Sequence, residues 1–248
     1  MGKILVFGGG GGIGAAVVAR LKGRSEAQVV VAGRNREAQA ATGADQNLVI
    51  DDLLAANAID NAFSAAEAEG AITGVVAAVG SILLKPAHAT SDADFDDTIA
   101  RNLTFAFRVL RAAAKRRETL KSLVLFSSAA ASVGLPNHEA IAAAKAGIEG
   151  LVRSAAATYA GAGLRVNAVA PGLVRTKLAG RITGNPAALA ASTAMHPLGR
   201  IGEVDDVAPV VTWLLSAESS WVTGQIIAVD GGLSALRARE PGAPGRGA

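Results

Sequence analysis

The run Gly8 to Gly14, Gly-Gly-Gly-Gly-Gly-Ile-Gly, follows the apolar stretch Ile4-Leu5-Val6-Phe7 and leads into the helical pattern Ala15 to Leu21. The order strand, glycine turn, helix leaves few folds open. A side chain in such a turn would block both its tight bend and the approach of a diphosphate to the backbone N–H groups at the helix start, where the macrodipole favours anions. The segment therefore reads as the phosphate-binding turn of a nucleotide site. Five consecutive glycines fit several registers, so Gly8, Gly10, Gly12, Ile13 and Gly14 all stand as candidate cofactor contacts. The alternative, a flexible low-complexity loop, is opposed by the strand and helix that flank it.

A chain of 248 residues, half of them hydrophobic, can bury a substantial core as one large α/β domain or two small ones. The absence of cysteine excludes disulfides and thiolate chemistry and fits a reducing, cytoplasmic setting. The first strand begins at residue 3, leaving no room for a secretion leader, and no apolar run is long enough for a membrane span. Of the net charge of +3, three arginines (Arg237, Arg239, Arg246) against one glutamate (Glu240) in the tail supply +2. The body is therefore near neutral. The basic residues from Arg101 to Lys121 then read as a solvated helix end rather than a nucleic-acid stripe. His88, His138 and His196 are dispersed and make no metal set, and His88 and His196 read as surface residues in loop-like stretches.

Along the chain, helical and apolar β-branched segments alternate. Strands are expected at Gln28–Ala32, Asn47–Ile50, Thr73–Val79, Leu120–Phe126, Leu164–Ala170 and Gln225–Val229. Helices are expected at 54–69 with Asp52 as a possible cap, from the Ser91-Asp92-Ala93-Asp94 capping pattern to about Arg117, from His138 with Asn137 as cap to about Ala160, and at 204–216. Pro171-Gly172 turns the chain after the sixth strand. Leu173 to Arg200 has scattered Gly and Pro and weak periodicity, which reads as a lid or substrate loop. The stretch from Ala235 reads as a disordered tail. Seven strands alternating with helices, without repeat or linker, imply a single-domain Rossmann fold over residues 1–234, a doubly wound seven-stranded parallel sheet.

Three positions stand out in that frame. About twenty residues past the glycine turn, where a carboxylate would take a ribose 2'-hydroxyl, stands Arg34, and no carboxylate occurs from Val29 to Arg36. NADP(H) is thereby preferred over NAD(H), a solvated surface arginine being the alternative. Gly80 ends the fourth strand at the edge where ligands bind. Asn102 is a poor mid-helix residue, so it either faces solvent or bonds something specific inside.

Taken together, these landmarks resemble the short-chain dehydrogenase/reductase family over Lys3 to Leu233. Gly8-x-x-x-Gly12-Ile13-Gly14 resembles its cofactor loop, Asp52-Leu53 its adenine-contacting pair, Ala77-Ala78-Val79-Gly80 a degenerate Asn-Asn-Ala-Gly, and Asn102-Leu103 its helix-four Asn-Leu. Val166-Asn167-Ala168-Val169-Ala170-Pro171-Gly172 with Thr176, Pro197-Leu198-Gly199-Arg200 and Val229-Asp230-Gly231-Gly232 are close to family wording. The resemblance implies an oxidoreductase acting on a small molecule, with coenzyme contacts from Gly80, Pro171, Gly172, Val174 and Thr176 as well. It also implies a homodimer or homotetramer built on the two long helices.

Carried over residue by residue, the family's Asn, Ser and Lys fall on Asn102, Ser128 and Lys145, but the tyrosine position is Ile141. An aliphatic side chain transfers no proton. The only tyrosine, Tyr159, lies beyond Lys145 and reads as a structural residue of the helix end. In the family's enoyl-thioester reductase branch the tyrosine stands seven residues before the lysine, and here that position is His138, whose imidazole is chemically admissible. A helix-start histidine bonding locally is the alternative. The implied function is hydride transfer to an activated C=O or C=C, with His138 or water giving the proton. A catalytically silent NADP(H)-binding relative, acting as a sensor or through a partner, is the other reading.

Overall fold

The strands are short, apolar on both faces and rich in β-branched residues, the pattern of a parallel sheet covered on each side. A computed structural model describes residues 2–24, 27–68 and 70–237. In chain order the elements are β1 (Lys3–Phe7), α1 (Gly12–Arg24), β2 (Gln28–Gly33), α2 (Arg36–Ala40), β3 (Gln46–Val49), α3 (Ala58–Glu67) and β4 (Ile72–Ala77). Then come α4 (Asp92–Ile99), a π turn (Ala100–Thr104), α5 (Phe105–Ala114), β5 (Ser122–Phe126), α6 (Glu139–Tyr159) and β6 (Arg165–Pro171). The last are α7 (Gly180–Thr183), α8 (Pro186–Met195), α9 (Val204–Leu215) and β7 (Ile226–Val229).

The seven strands form one parallel sheet in the order β3-β2-β1-β4-β5-β6-β7, as the alternation implied. The direction of winding reverses between β1 and β4, which opens a crevice at their carboxyl ends. Side chains alternate across the sheet with period two. Leu5 and Phe7 join Phe63, Phe105, Leu123 and Ile148 under α3, α5 and α6, whereas Ile4 and Val6 join Val17, Val31, Val124 and Val211 under α1 and α9. Phe7 anchors the first layer, its ring 5.8 Å from Phe63 and 5.9 Å from Phe105. Tyr159 packs against the same layer. No helix among the described residues is long and apolar enough to cross a membrane.

Several expectations are corrected. The third helix starts at Ala58, not residue 54, because the N-cap is Asn57 in the left-handed region at φ 60, while Asp52 Oδ1 accepts the Leu54 N–H at 2.8 Å in a turn of its own. Asp52 therefore caps no helix. Asn137 is not the cap of α6 either: it has φ 64, and His138 occupies the cap position without a side-chain capping bond. The long helix after Ser91 is interrupted by the π turn and ends at Ala114. The segment 173–200 is not an irregular loop, since it holds α7 and α8, the latter begun by Asn185, whose Oδ1 accepts the N–H groups of Ala187 and Ala188. His196 is buried at the end of α8 rather than on the surface. Most of the expected tail, residues 238–248, lies outside the described residues.

Glycine at the turn is required by sterics. Gly8 has φ +78, and a Cβ on Gly14 would overlap the Gly8 carbonyl oxygen. Gly14→Ala is expected to lower the melting temperature by several degrees, the cost of forcing backbone apart being about 1–3 kcal/mol or more. Gly23→Ala, in the last turn of the same helix with nothing within 4 Å of its Cβ, should leave it unchanged or higher. Calorimetric melting of the two variants checks the pair.

Candidate active site

The carboxyl ends of β1, β4, β5 and β6 meet at a cavity of about 170 Å³. Its floor begins at the glycine turn. Gly8 N–H donates to Ala32 O at 2.8 Å and Gly11 N–H to Gly8 O at 2.9 Å, which closes the bend. Among the described residues nothing accepts from the N–H groups of Gly12, Ile13 or Gly14, the first of α1. Unpaired donors at the start of a thirteen-residue helix form a cradle for an anion. Thr176 closes over it: a Cβ on Gly12 would lie 2.7 Å from Thr176 Cγ2. Thr176 Oγ1 accepts from Ala179 N at 3.2 Å, and Pro171, Gly172 and Val174 continue that wall.

A second cavity, of about 350 Å³, adjoins at the ends of β2 and β3 and is lined by Arg34, Asp52, Leu53, Gly80 and Arg101. Arg34 is exposed and has no ion-pair partner among the described residues, whereas Arg101 is held by Asp97 at 2.7 Å. This is where the sequence led one to expect the adenosine end of a coenzyme. Arg101 was not singled out beforehand, since it read as one more basic residue of a solvated helix.

On the opposite wall the chemistry-bearing residues come together. Asn102 is buried in the π turn, where its Nδ2 donates to Thr98 O at 2.9 Å and to Ser81 Oγ at 3.1 Å, and its Oδ1 accepts from Ser81 N at 3.3 Å. Its amide thus bonds inside, as one of the two expectations held, and the wider turn is the local distortion that such a competitor for backbone bonds produces. Gly80 is tight against it: a Cβ would lie 2.7 Å from Asn102 Oδ1 and 3.5 Å from Lys145 Nζ. Lys145 is buried, and its Nζ donates to Phe126 O at 3.0 Å. Burial without a carboxylate partner among the described residues brings its pKa down from 10.5 to about 8.

Ser127 and Ser128 divide the end of β5 between them. Ser127 Oγ donates to Glu149 Oε1 at 2.9 Å and is committed to α6, whereas Ser128 Oγ only accepts, from Ala130 N at 3.2 Å, leaving its proton free for the cavity. Ile141 is buried and lines the cavity one turn before Lys145. His138 is not part of the lining; its Nδ1 lies 2.8 Å from Pro136 O, a local bond at the helix start. His88 lies in the exposed turn Ala87–Ala89. No group of three or more His, Cys, Asp or Glu among the described residues is placed to hold a metal ion.

The lysine allows a stability test. Below about pH 8 both folded and unfolded chains carry the proton and the folded chain bears the full desolvation cost, which then falls as pH rises toward 10.5, the value in the unfolded chain. That cost is on the order of 3 kcal/mol. Lys145→Met should therefore melt higher than the parent at pH 7, with the difference shrinking by pH 10; an equal difference at both pH values contradicts the buried-charge account.

The family model described as enoyl-(acyl carrier protein) reductase matches residues 9–234. The chain is 36% identical to 2-(S)-hydroxypropyl-CoM dehydrogenase 3 of Xanthobacter autotrophicus over 94% of its length and 96% of that protein's. A short-chain type dehydrogenase/reductase from Mycobacterium ulcerans superposes with a TM-score of 0.87 at 32% identity, covering 96% of this chain and 91% of that one. An actinorhodin polyketide ketoreductase solved with NADPH superposes with the same TM-score, 0.87, at 26% identity, covering 95% and 98%.

Proposed function

The chain belongs to the short-chain dehydrogenase/reductase family of oxidoreductases, and on that premise we propose that it moves a hydride between NADP(H) and an activated C=O or C=C of a small molecule. The observation that carries the reading is the facing arrangement across one cavity of free N–H groups at the start of α1 and an ammonium group, Lys145, that no carboxylate among the described residues neutralises. A dinucleotide fits both: its diphosphate on the glycine cradle, its nicotinamide ribose on Lys145. Arg34 gives a 2'-phosphate its counter-charge, and the carboxylate of Asp52 reaches the adenine.

When bound, the nicotinamide supplies or takes up the hydride. The chain supplies the surroundings. Ser128 donates a hydrogen bond from its free O–H to the substrate oxygen as charge develops there, and Lys145 adds positive charge. Asn102 holds the Ser81 backbone and with it the mouth of the cavity. Ile82, Ile141, Leu178 and Ala179 make the remaining wall apolar, and Lys145 is the only charged lining residue among the described residues, so the substrate has an uncharged, apolar body. The proton comes from water, since His138 lies outside the lining. The exposed Phe95 and Phe107 on the α4–α5 face fit a homodimer or homotetramer.

NADPH oxidation against panels of ketones, enones and enoyl thioesters is the direct test. Turnover is expected to vanish in Lys145→Ala, and a parent rate no higher than that variant's rejects the proposal. Arg34→Ala is expected to weaken NADPH binding about tenfold or more while sparing NADH, the worth of a charge-assisted contact; calorimetry with both coenzymes decides it.

Ile141 supports the second reading, since among the described residues the lining contains no phenol, imidazole or carboxylate to transfer a proton. A silent relative would bind NADPH tightly, turn nothing over and be indifferent to Ser128→Ala. Ile141→Tyr separates the two: if the missing general acid limits an active enzyme, ketone reduction should rise roughly 10²–10⁴-fold. An unchanged rate means that another group already performs the transfer.

A further inference from the structure

His196 is a buried histidine that the chemistry above does not use. Its residue is 3% exposed, with Nδ1 2.6 Å from Ser192 O and Nε2 3.2 Å from Leu173 N. A carbonyl only accepts and an amide N–H only donates, so the two partners dictate one tautomer: Nδ1 carries the proton and Nε2 offers its lone pair. Both nitrogens are occupied, an arrangement that only the singly protonated ring satisfies. The contact is close enough to require glycine beside it, because a Cβ on Gly172 would lie 2.6 Å from Nε2.

What the ring holds matters more than the bond itself. Leu173 belongs to the stretch Gly172 to Thr176, which walls the coenzyme cavity and ends against the glycine turn at Gly12. From its other side the same stretch is tied to Gly202, which donates to Leu173 O at 2.8 Å and accepts from Arg175 N at 2.9 Å. The Leu173 amide is thus fixed by His196, and His196 by the last turn of α8.

We propose that neutral His196 is a positioning residue for the coenzyme site, coupling the Leu173–Thr176 wall to α8, and that a second proton on the ring releases that wall. With Nε2 protonated, an N–H would face the Leu173 N–H, and attraction would become repulsion. The charged groups around the ring offer no ready substitute. Asp230, at the exit of β7, accepts from Gly232 N and Ser234 N, each at 2.9 Å. Arg200 and Asp206 line the same cavity of about 320 Å³ and are paired with each other at 2.6 and 2.7 Å. The helix α8 carries no charged residue, and the β6 exit contributes only Pro171, Gly172 and Leu173.

The proposal rests on the reading that this cavity takes NADP(H), so its test has one arm that needs no coenzyme. Hydrogen exchange of the ligand-free protein, corrected for intrinsic chemical rates, should show the Leu173 amide protected at pH 8 and about tenfold less so at pH 5.5. In His196→Gln, whose amide oxygen can accept from Leu173 but takes no proton in this range, protection should persist at both pH values. In His196→Phe it should be lost at both. By calorimetry, NADP+ affinity of the parent should fall about tenfold more than that of His196→Gln over the same span, about the worth of one hydrogen bond; subtraction of the glutamine variant removes titration of the coenzyme phosphate and of Lys145.

Equal and pH-independent protection of Leu173 in the parent and His196→Gln would overturn the proposal, as would a phenylalanine variant that behaves like the parent. If His196→Phe does not fold, the comparison of the parent with His196→Gln still decides. If the parent binds no NADP+ at either pH, the coenzyme reading fails, while the exchange arm alone still says whether His196 holds the wall.

Discussion

Backbone donors that have no partner within their own helix dictate much of how this molecule is put together. The N–H groups of Gly12, Ile13 and Gly14 open α1 without an acceptor among the described residues, and a helix start left in that state at the bottom of a cleft needs an anion or water. Keeping them accessible requires the absence of side chains around them. Gly14 must lie against the Gly8 carbonyl and Gly12 against Thr176, so both the bend of the turn and the lid that covers it rest on atoms that are not there. The parallel sheet does the rest by bringing the carboxyl ends of β1, β4, β5 and β6 to the same edge.

Facing that cradle is a lysine whose burial lowers its pKa. A charge held away from carboxylates costs stability, and a fold keeps such a group where a ligand makes use of it. Its surroundings are rigid: the Phe126 carbonyl orients Nζ, and Gly80 and Asn102 crowd the same corner. The π turn that houses Asn102 belongs to the same corner, its amide bridging Thr98 O and Ser81 Oγ. The neighbouring wall is held from the other side by His196, so both flanks of the cavity are positioned by buried polar side chains, while the substrate face between them is apolar.

The strands and the glycine turn were legible because their signals are local: runs of β-branched residues, and seven residues with almost no side chains. Arg34 was legible by its distance from the turn, Gly80 by ending a strand and Asp52 by the family resemblance, and the three line one cavity. Local reading failed where two local options compete. Asn137 looks like a helix cap, yet it and Asn57 both stand in the left-handed region, which asparagine tolerates. Asn185-Pro186 is a fair helix start, yet the weak periodicity of α8 concealed it, because no α8 residue is buried to mark a face. His196 was misplaced for the same reason: nothing nearby in sequence announces that its partners are the Leu173 amide and Gly172.

By itself, then, the sequence determined the strand-turn-helix beginning, the parallel alternation that follows and the set of residues able to meet a nucleotide, since each depends on side-chain size, branching or charge within a few positions. Only the tertiary structure decided which of them share a cavity. It set Thr176 over Gly12, freed the proton of Ser128 while committing that of Ser127, left His138 outside the lining and put Ile141 inside it. Those outcomes turn on contacts between segments far apart in the chain, whose distances are fixed by sheet order and helix packing and by no pattern that a neighbouring residue carries.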